Sequence, residues 1–584
     1  MPLIGTAGHV DHGKSTLIQA LTGRDPDRWE EEKRRGLTID LGFSWTTLGL
    51  GQEVSFVDVP GHERYLKNML AGIEVIDVAL FVVAADEGWM PQSEEHLAVL
   101  DLLEIDSGVV ALTKVDAVDE ETVELATVDI SDHIAGTGLA LAEIVPLSAR
   151  TGAGLDRLRE VLSNLAALVV HEGDRPRLWV DRSFSVAGAG TVVTGSLIEG
   201  PFEVGNTVEI LPAHKKARIR ALQSHEAEIE IARPGRRLAL NLSGVDRSEV
   251  PRGSMLGLPQ QWRLTNKFTA RLKFARYLDE LPARGAFHLH FGSGAYPVTI
   301  KRRDGEYALL QVPSPLPMRT GDRFILRDAG RKLVVAGGVV LDPSPDAPMQ
   351  ALAAAARIDP GAGPDGIAAE LLAIRGIEDL SRLAAHSGGG RPHHAITVGS
   401  TALTQERFAA LLNDVERVVT EHHAQHPLRP GIPTATLATS LDISHDLVDH
   451  LVDESAILGR IGPDVARSDH HLGLDNDMEE RWSQAESRLR SDLAVPNSTE
   501  LGLDPELLHL MIRNGHLVRI SDDLVFLPEQ IDLLVDLMRG MESGFTVADF
   551  RDRSGLSRKY AVPLLEWSDR EGLTIRRGDL RHLR

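Results

Sequence analysis

Gly8-His9-Val10-Asp11-His12-Gly13-Lys14-Ser15 has the GxxxxGK[ST] spacing of a phosphate-binding loop. It follows a short strand pattern and opens a helix, the context this chemistry needs. Glycines let backbone N–H groups approach phosphate oxygens. Lys14 supplies a cation for the outer phosphates, the Ser15 hydroxyl can ligate Mg²⁺, and the helix start adds a positive dipole end.

Three further motifs follow in order, each at the end of a predicted strand. Asp58-Val59-Pro60-Gly61-His62 follows the apolar run 54–57, so Asp58 is placed to hold Mg²⁺ and Gly61 to offer its N–H to a γ-phosphate. Thr113-Lys114-Val115-Asp116 follows the apolar run 108–112. A carboxylate there can accept two hydrogen bonds from guanine, whose N–H donors adenine lacks. Ser148-Ala149-Arg150 is placed to close over the base. The four motifs predict a GTP site built from Asp11, His12, Gly13, Lys14, Ser15, Thr16, Asp58, Gly61, Thr113, Lys114, Asp116, Ser148, Ala149 and Arg150. Position 113 departs from the usual motif, which begins with Asn. A shorter Thr can make only part of the network by which Asn bridges base and loop.

Outward from this site the pattern predicts several domains. Residues 1–172 alternate buried-strand runs with helical patterns, as in a doubly wound α/β P-loop domain. Short β-rich runs with Gly and Pro turns suggest two β-barrels, 173–260 and 261–345. A Pro-, Gly- and Ala-rich stretch, 346–366, reads as a linker. The remainder is mostly helical with short strand pairs. Arg460, Arg519 and Arg576 each follow a helical stretch, at spacings of 59 and 57 residues, which suits tandem winged-helix modules. These are placed at 367–404, 405–473, 474–528 and 529–584.

The chain carries 62 Lys and Arg against 85 Asp and Glu, a net charge of −23. Nucleic acid must therefore be met by a local basic patch. Residues 544–584 supply one, with nine Lys and Arg against six acids. No cysteine occurs, which excludes disulfides and Cys-held metals. Neither a signal peptide nor a membrane-spanning apolar run is read, so a cytoplasmic protein with no membrane partner is expected. The adjacent pairs His393-His394, His422-His423 and His470-His471 do not share a face and are not read as metal sites.

His9-Val10-Asp11-His12 inside the loop and His62 after Asp58-Val59-Pro60-Gly61 resemble the translational GTPases. The resemblance implies that His62 is catalytic and positions the attacking water. Arg35-Gly36-Leu37-Thr38-Ile39-Asp40 resembles their first switch, which implies that Thr38 joins Ser15 and Asp58 on Mg²⁺. Val10 and Leu37 match the hydrophobic gate that restrains the histidine until the ribosome triggers it. Asp11 matches a position that can hold a monovalent cation.

Within that group the chain is similar to the selenocysteine-specific elongation factors, the SelB family. Gly188-Ala189-Gly190-Thr191-Val192-Val193-Thr194-Gly195 looks like the second-domain signature of elongation factor Tu. Val180-Asp181-Arg182-Ser183-Phe184-Ser185-Val186 and the compact switch at 27–42 are SelB-like, and the chain runs about 240 residues past the barrels. The resemblance implies a selenocysteine pocket at Asp181, Arg182 and Arg237. In that family the last winged module grips an mRNA hairpin that recodes UGA. Ser557 to Glu566 and Arg576-Arg577-Gly578-Asp579 match its most specific stretch, which implies RNA binding by Arg551, Arg558, Lys559, Arg576 and Arg577. Expected cofactors are GTP and Mg²⁺. Expected partners are selenocysteinyl-tRNA, a selenoprotein mRNA hairpin and the ribosome, met by a monomer. A general aminoacyl- or initiator-tRNA carrier with an accessory tail is the alternative, and a GTP-gated DNA-binding regulator a more distant one.

Overall fold

The computed structural model describes residues 1–25, 41–60, 76–171, 173–188, 190–281, 285–345, 350–470, 474, 476–542 and 544–584. They form two compact units, Met1–Gln405 and Glu406–Arg584. No helix among the described residues is long and apolar enough to cross a membrane.

The first unit begins with β1 (Leu3–Ala7), α1 (Lys14–Thr22), β2 (Gly42–Thr47), β3 (Glu53–Asp58), β4 (Val78–Ala84), α2 (Pro91–Leu102), β5 (Gly108–Thr113), α3 (Glu120–Ile134), β6 (Glu143–Pro146) and α4 (Leu155–Ala167). The strands form one sheet in the order β2-β3-β1-β4-β5-β6. β1 to β4 and β4 to β5 pair in parallel, and β2 is the antiparallel edge. β4 and β5 are buried along their whole length. Helices on both faces require such near-continuous apolar runs. One face packs Leu17, Ile18, Leu158 and Leu162. The other packs Leu97, Leu100, Ile130 and Ile134, and its core continues into Ala275, Ile325 and Val334 of a later domain.

A seven-stranded sheet follows, in the order Thr207–Leu211, Met255–Gly257, Arg177–Val186, Gly190–Glu199, Arg236–Ser243, Lys215–Ser224 and Ala227–Ile229. Thr207–Leu211 also pairs with Lys215–Ser224 and curls it into a barrel. Six strands from Leu264–Phe274 to Leu333–Val340 close a second barrel. The barrels are joined by a buried ion pair. The Arg177 guanidinium donates to both carboxylate oxygens of Asp322 at 2.5 and 2.9 Å, and it lies 4.8 Å from the ring of Trp262.

Within the stretch expected as a linker, Ala351–Ala355 is helical and its Ala351, Leu352 and Ala355 are buried. Ala355 and Ile358 share a core with Leu341, Leu371 and Leu383. The helices Gly363–Arg375 and Leu380–Ser387 and a small three-stranded sheet complete this part. Arg375, its side chain buried, donates to Asp342 and Glu378 at 2.7 and 2.9 Å.

Among its described residues the second unit is helical with three hairpins: Leu458–Ile461 with Asp464–Arg467, Val518–Arg519 with Val525–Phe526, and Thr574–Arg577 with Leu580–Leu583. Arg460, Arg519 and Arg576 each lie on the first strand of a hairpin, so the repeat seen in the sequence is a structural one. One hydrophobic core takes in Leu428 and residues from Ala485 to Leu565. One histidine from each of two of the sequence pairs meets the other in this unit. His423 stacks on His470 with ring centroids 3.6 Å apart, while no metal-holding group forms among the described residues.

Candidate functional site

The phosphate loop takes its shape from residues that tolerate left-handed backbone. Gly8 has φ +128°, and a Cβ there would sit 2.1 Å from the carbonyl oxygen of Val82. Gly13 has φ +88° at the start of α1, and Asp11, between them, has φ 65°. Left-handed residues at this spacing are the kind of backbone from which anion-binding nests are built.

Lys14 lies beneath it. Its ammonium donates to the carbonyls of Gly8 at 3.0 Å and His9 at 2.6 Å, and only 6% of the residue is exposed. Ser15 and Thr16 follow on the first turn of α1. The Ser15 hydroxyl donates to Asp58 at 2.7 Å, and Thr6 donates to the other carboxylate oxygen at 2.6 Å. A hydroxyl and a buried carboxylate converging beside the loop are the oxygen donors a hard divalent cation takes, so these residues fit Mg²⁺. Thr6 was not foreseen from the sequence; a hydroxyl inside an otherwise apolar strand was the available signal.

The His12 side chain is turned into the protein, against β4. It is fully buried, with Nδ1 3.3 Å from the carbonyl of Val82 and Nε2 3.5 Å from Glu87. Burial pushes its pKa down to about 4. Its carbonyl is the useful part, because it accepts the Thr113 hydroxyl at 2.7 Å. Thr113 therefore completes the loop half of the bridge that Asn would make. The carbonyl of Val83 lies 3.3 Å from the same hydroxyl.

Lys114 sits in left-handed conformation and pairs with Asp86 at 3.1 Å. Asp116 accepts from Ser148, which is the main cause of its lowered pKa, and faces Arg150 Nε at 3.4 Å. An ionised Asp116 is what guanine's donors require. Ala149 joins Ser148 and Arg150 at the end of the sheet. Val10, half-buried, donates its N–H to Gln92 at 3.2 Å. Leu37, Thr38, Gly61 and His62 lie outside the described residues.

A second arrangement lies on the first barrel. Register shifts between Val180 and Arg182 in their pairing with Gly195 and Thr194. Asp181 is thus a bulge residue, the kind that re-aims a side chain. It accepts from Thr194 at 2.6 Å and from two nitrogens of Arg237 at 2.9 and 3.1 Å. The Arg237 guanidinium covers Phe43 of β2 at 3.9 Å. Beside it is a cavity of about 260 Å³, lined by Phe43, Trp45, Phe184, Thr194, His225 and Arg237 among others. Arg182 is half-buried on the same strand.

The basic residues of the tail fall in three places. Arg551 is on helix Val547–Ser554, Arg558 and Lys559 open helix Arg558–Arg570, and Arg576 and Arg577 lie on the last hairpin. All five are exposed. The hairpin turns at Gly578, φ 64°, and Arg576 donates to its carbonyl at 3.0 Å. Arg581 faces the other way, buried against Asp569 at 2.9 Å. Tyr560 packs against the core.

Comparison with known proteins agrees with this layout. Residues 1–167 match the elongation factor Tu GTP-binding domain, and 190–257 match elongation factor Tu domain 2. Residues 267–347 match the β-barrel domain of selenocysteine-specific elongation factor, and 536–583 match the winged helix of elongation factor SelB. The selenocysteine-specific elongation factor of Desulfomicrobium baculatum is 34% identical, with all of both chains covered. That of Escherichia coli is 33% identical over 99% of this chain and 98% of its own. The crystal structure of bacterial selenocysteine-specific elongation factor EF-Sec superposes with a TM-score of 0.74 at 28% identity, covering 100% of both chains. With likeness of this extent across the GTPase, the barrels and the tail, the chain belongs to the selenocysteine-specific elongation factors.

Proposed function

We propose that this GTP-dependent translation factor delivers selenocysteinyl-tRNA to the ribosome at UGA codons while its last winged module holds an mRNA hairpin. The observation that carries the first part is the Asp181–Thr194–Arg237 network beside the cavity. Two bonds to Asp181 fix the guanidinium plane, as bidentate pairs do. A selenol is largely ionised at neutral pH, whereas serine, its precursor on the same tRNA, is neutral. A fixed guanidinium and the neighbouring Arg182 favour the anion. One charge-assisted hydrogen bond is worth roughly 1.5–3 kcal/mol, so strong rejection of serine needs both arginines.

The second part is supported by the charge at the tail. Arg558 and Lys559 open a helix with no acid in its first turn. Cations at that end are disfavoured by about 0.3–1 kcal/mol. A phosphate backbone would relieve that repulsion and meet the helix dipole as well.

At the nucleotide site, Lys14 neutralises phosphate charge and Asp116 selects guanine. Ser15, Thr38 and Asp58 would hold Mg²⁺, which supplies further charge neutralisation when bound. His62 orients the water, held back by Val10 and Leu37 until the ribosome is engaged.

The test is protection of aminoacyl-tRNA from spontaneous deacylation by the GTP-bound protein, with one tRNA carrying either selenocysteine or serine. Protection of selenocysteine alone is expected. Equal protection of both would discard the pocket, and protection of neither would discard the carrier.

A further inference from the structure

Helix α2 presents two polar side chains, Gln92 and His96, four residues apart and so on one face. Both reach the phosphate loop. Gln92 accepts the Val10 N–H at 3.2 Å, and His96 Nδ1 accepts the Gly8 N–H at 2.9 Å. Gly8 is thus held from both sides, because its carbonyl also accepts the Lys14 ammonium at 3.0 Å. The far end of α2 is fixed as well. Asp101 pairs with Lys273 of the second barrel at 2.8 Å. Gly337 of that barrel lies so close that a Cβ would sit 2.5 Å from the Leu102 carbonyl.

We infer that His96 is a positioning residue of the nucleotide site, a neutral acceptor that sets the Gly8 peptide and through it the aim of Lys14, with Gln92 fixing Val10 in the same way. His96 can do this only with Nδ1 unprotonated; a protonated ring would put N–H against N–H. The ring is 2% exposed. Burial, with Lys14 and His9 nearby, pushes its pKa down to about 3. At neutral pH the ring is therefore uncharged and free to accept. The partner is 88 residues away in sequence, so helix and loop are locked by tertiary structure alone.

The experiment compares His96→Leu with His96→Asn in the full chain. Leucine approximates the volume without an acceptor; asparagine returns an acceptor near the position of Nδ1. Affinity for a fluorescent GDP is measured by stopped flow. Amide hydrogen exchange across Gly8–Val10 is measured in nucleotide-free protein. An orphaned buried donor corresponds to a loss of roughly ten- to a hundredfold. His96→Leu is expected to weaken GDP by that factor and to speed exchange at Gly8, and His96→Asn to recover most of both. GDP affinity within twofold of the parent, or equal losses in the two variants, would overturn the assignment. Should His96→Leu fail to fold, the half-exposed Gln92→Leu decides the matter. It is expected to weaken GDP several-fold and to speed exchange at Val10, and no change in either would overturn the inference.

Discussion

The phosphate loop and the terminal hairpin both present cations, and they do so in opposite ways. Lys14 is almost fully buried, its ammonium already aimed by two carbonyls. Arg576 and Arg577 stand in solvent on a two-stranded ribbon. A buried cation has shed its water, so it acts strongly but only at one point. Exposed arginines keep their water and act at longer range through a field that salt screens. One arrangement suits a ligand of fixed geometry, the other a flexible polyanion. The same contrast runs through the titratable groups of the two units, and it can be broken at four places.

The largest expected effect is in acid. Burial lowers the pKa of His96 to about 3 and of His12 to about 4, and it lowers that of His386, all in the first unit. In the second unit burial lowers His423 to about 4 and, less strongly, His422. A histidine whose folded pKa lies below its unfolded value of about 6.5 leaves the unfolded state holding more protons in between. Stability is therefore full above pH 6.5 and falls as the pH drops toward the folded pKa. At pH 5 each fully buried histidine costs about 2 kcal/mol. Calorimetry of nucleotide-free protein should show the first unit losing more between pH 7 and 5 than an isolated 406–584 fragment does. Equal shifts would mean that the buried histidines do not set the difference.

Next is the loop cation. Lys14→Ala should weaken GTP at least a hundredfold, since several charge-assisted bonds to phosphate go at once. Binding of an RNA hairpin by the tail should stay within twofold. Equilibrium titration of both ligands checks this, and a parallel loss of RNA binding would undo the separation of the two sites.

The exposed pair should behave as polyelectrolyte contacts do. Arg576→Ala with Arg577→Ala should lower RNA affinity by about tenfold at moderate salt. It should flatten the slope of log affinity against log salt by about 1.4–1.8. An unchanged slope with lost affinity would mean that the arginines read bases or shape the hairpin instead.

The contrast also decides what the sequence discloses. The loop motif is legible because only certain residues accept its backbone: Gly8, with a carbonyl 2.1 Å from where a Cβ would be, leaves no choice. The tail is legible for another reason, its charge sign against an acidic chain. The clamp from Gln92 and His96 is hidden, because each meets a backbone N–H more than 80 residues distant. Both sit in a run of five polar residues, Gln92 to His96, so nothing local singles them out. The stretch 346–366 misleads by composition. Ala and Gly read as linker, yet Ala351 and Ala355 are small because they pack closely, not because the chain is loose. Asp181 and Arg237 came from family resemblance alone. The bulge that joins them depends on strand register, which no local pattern at Asp181 reveals.

The smallest effect tests position 113, where the sequence departs from the usual motif. The Thr113 hydroxyl spends its proton on the His12 carbonyl. That keeps the loop tied to the end of β5 but leaves no amide to reach a base. Thr113→Val has the same shape and no hydroxyl, so the His12 carbonyl loses its partner. GDP affinity should then fall about five- to tenfold, the worth of one buried hydrogen bond. Thr113→Asn should keep the tie and gain a contact, raising affinity several-fold, chiefly through slower dissociation. Selectivity for guanine should be unchanged in both, because Asp116 carries it. If valine binds GDP as well as threonine does, the bridge is idle, and the loop is held by its other contacts, those of Lys14, Gln92 and His96.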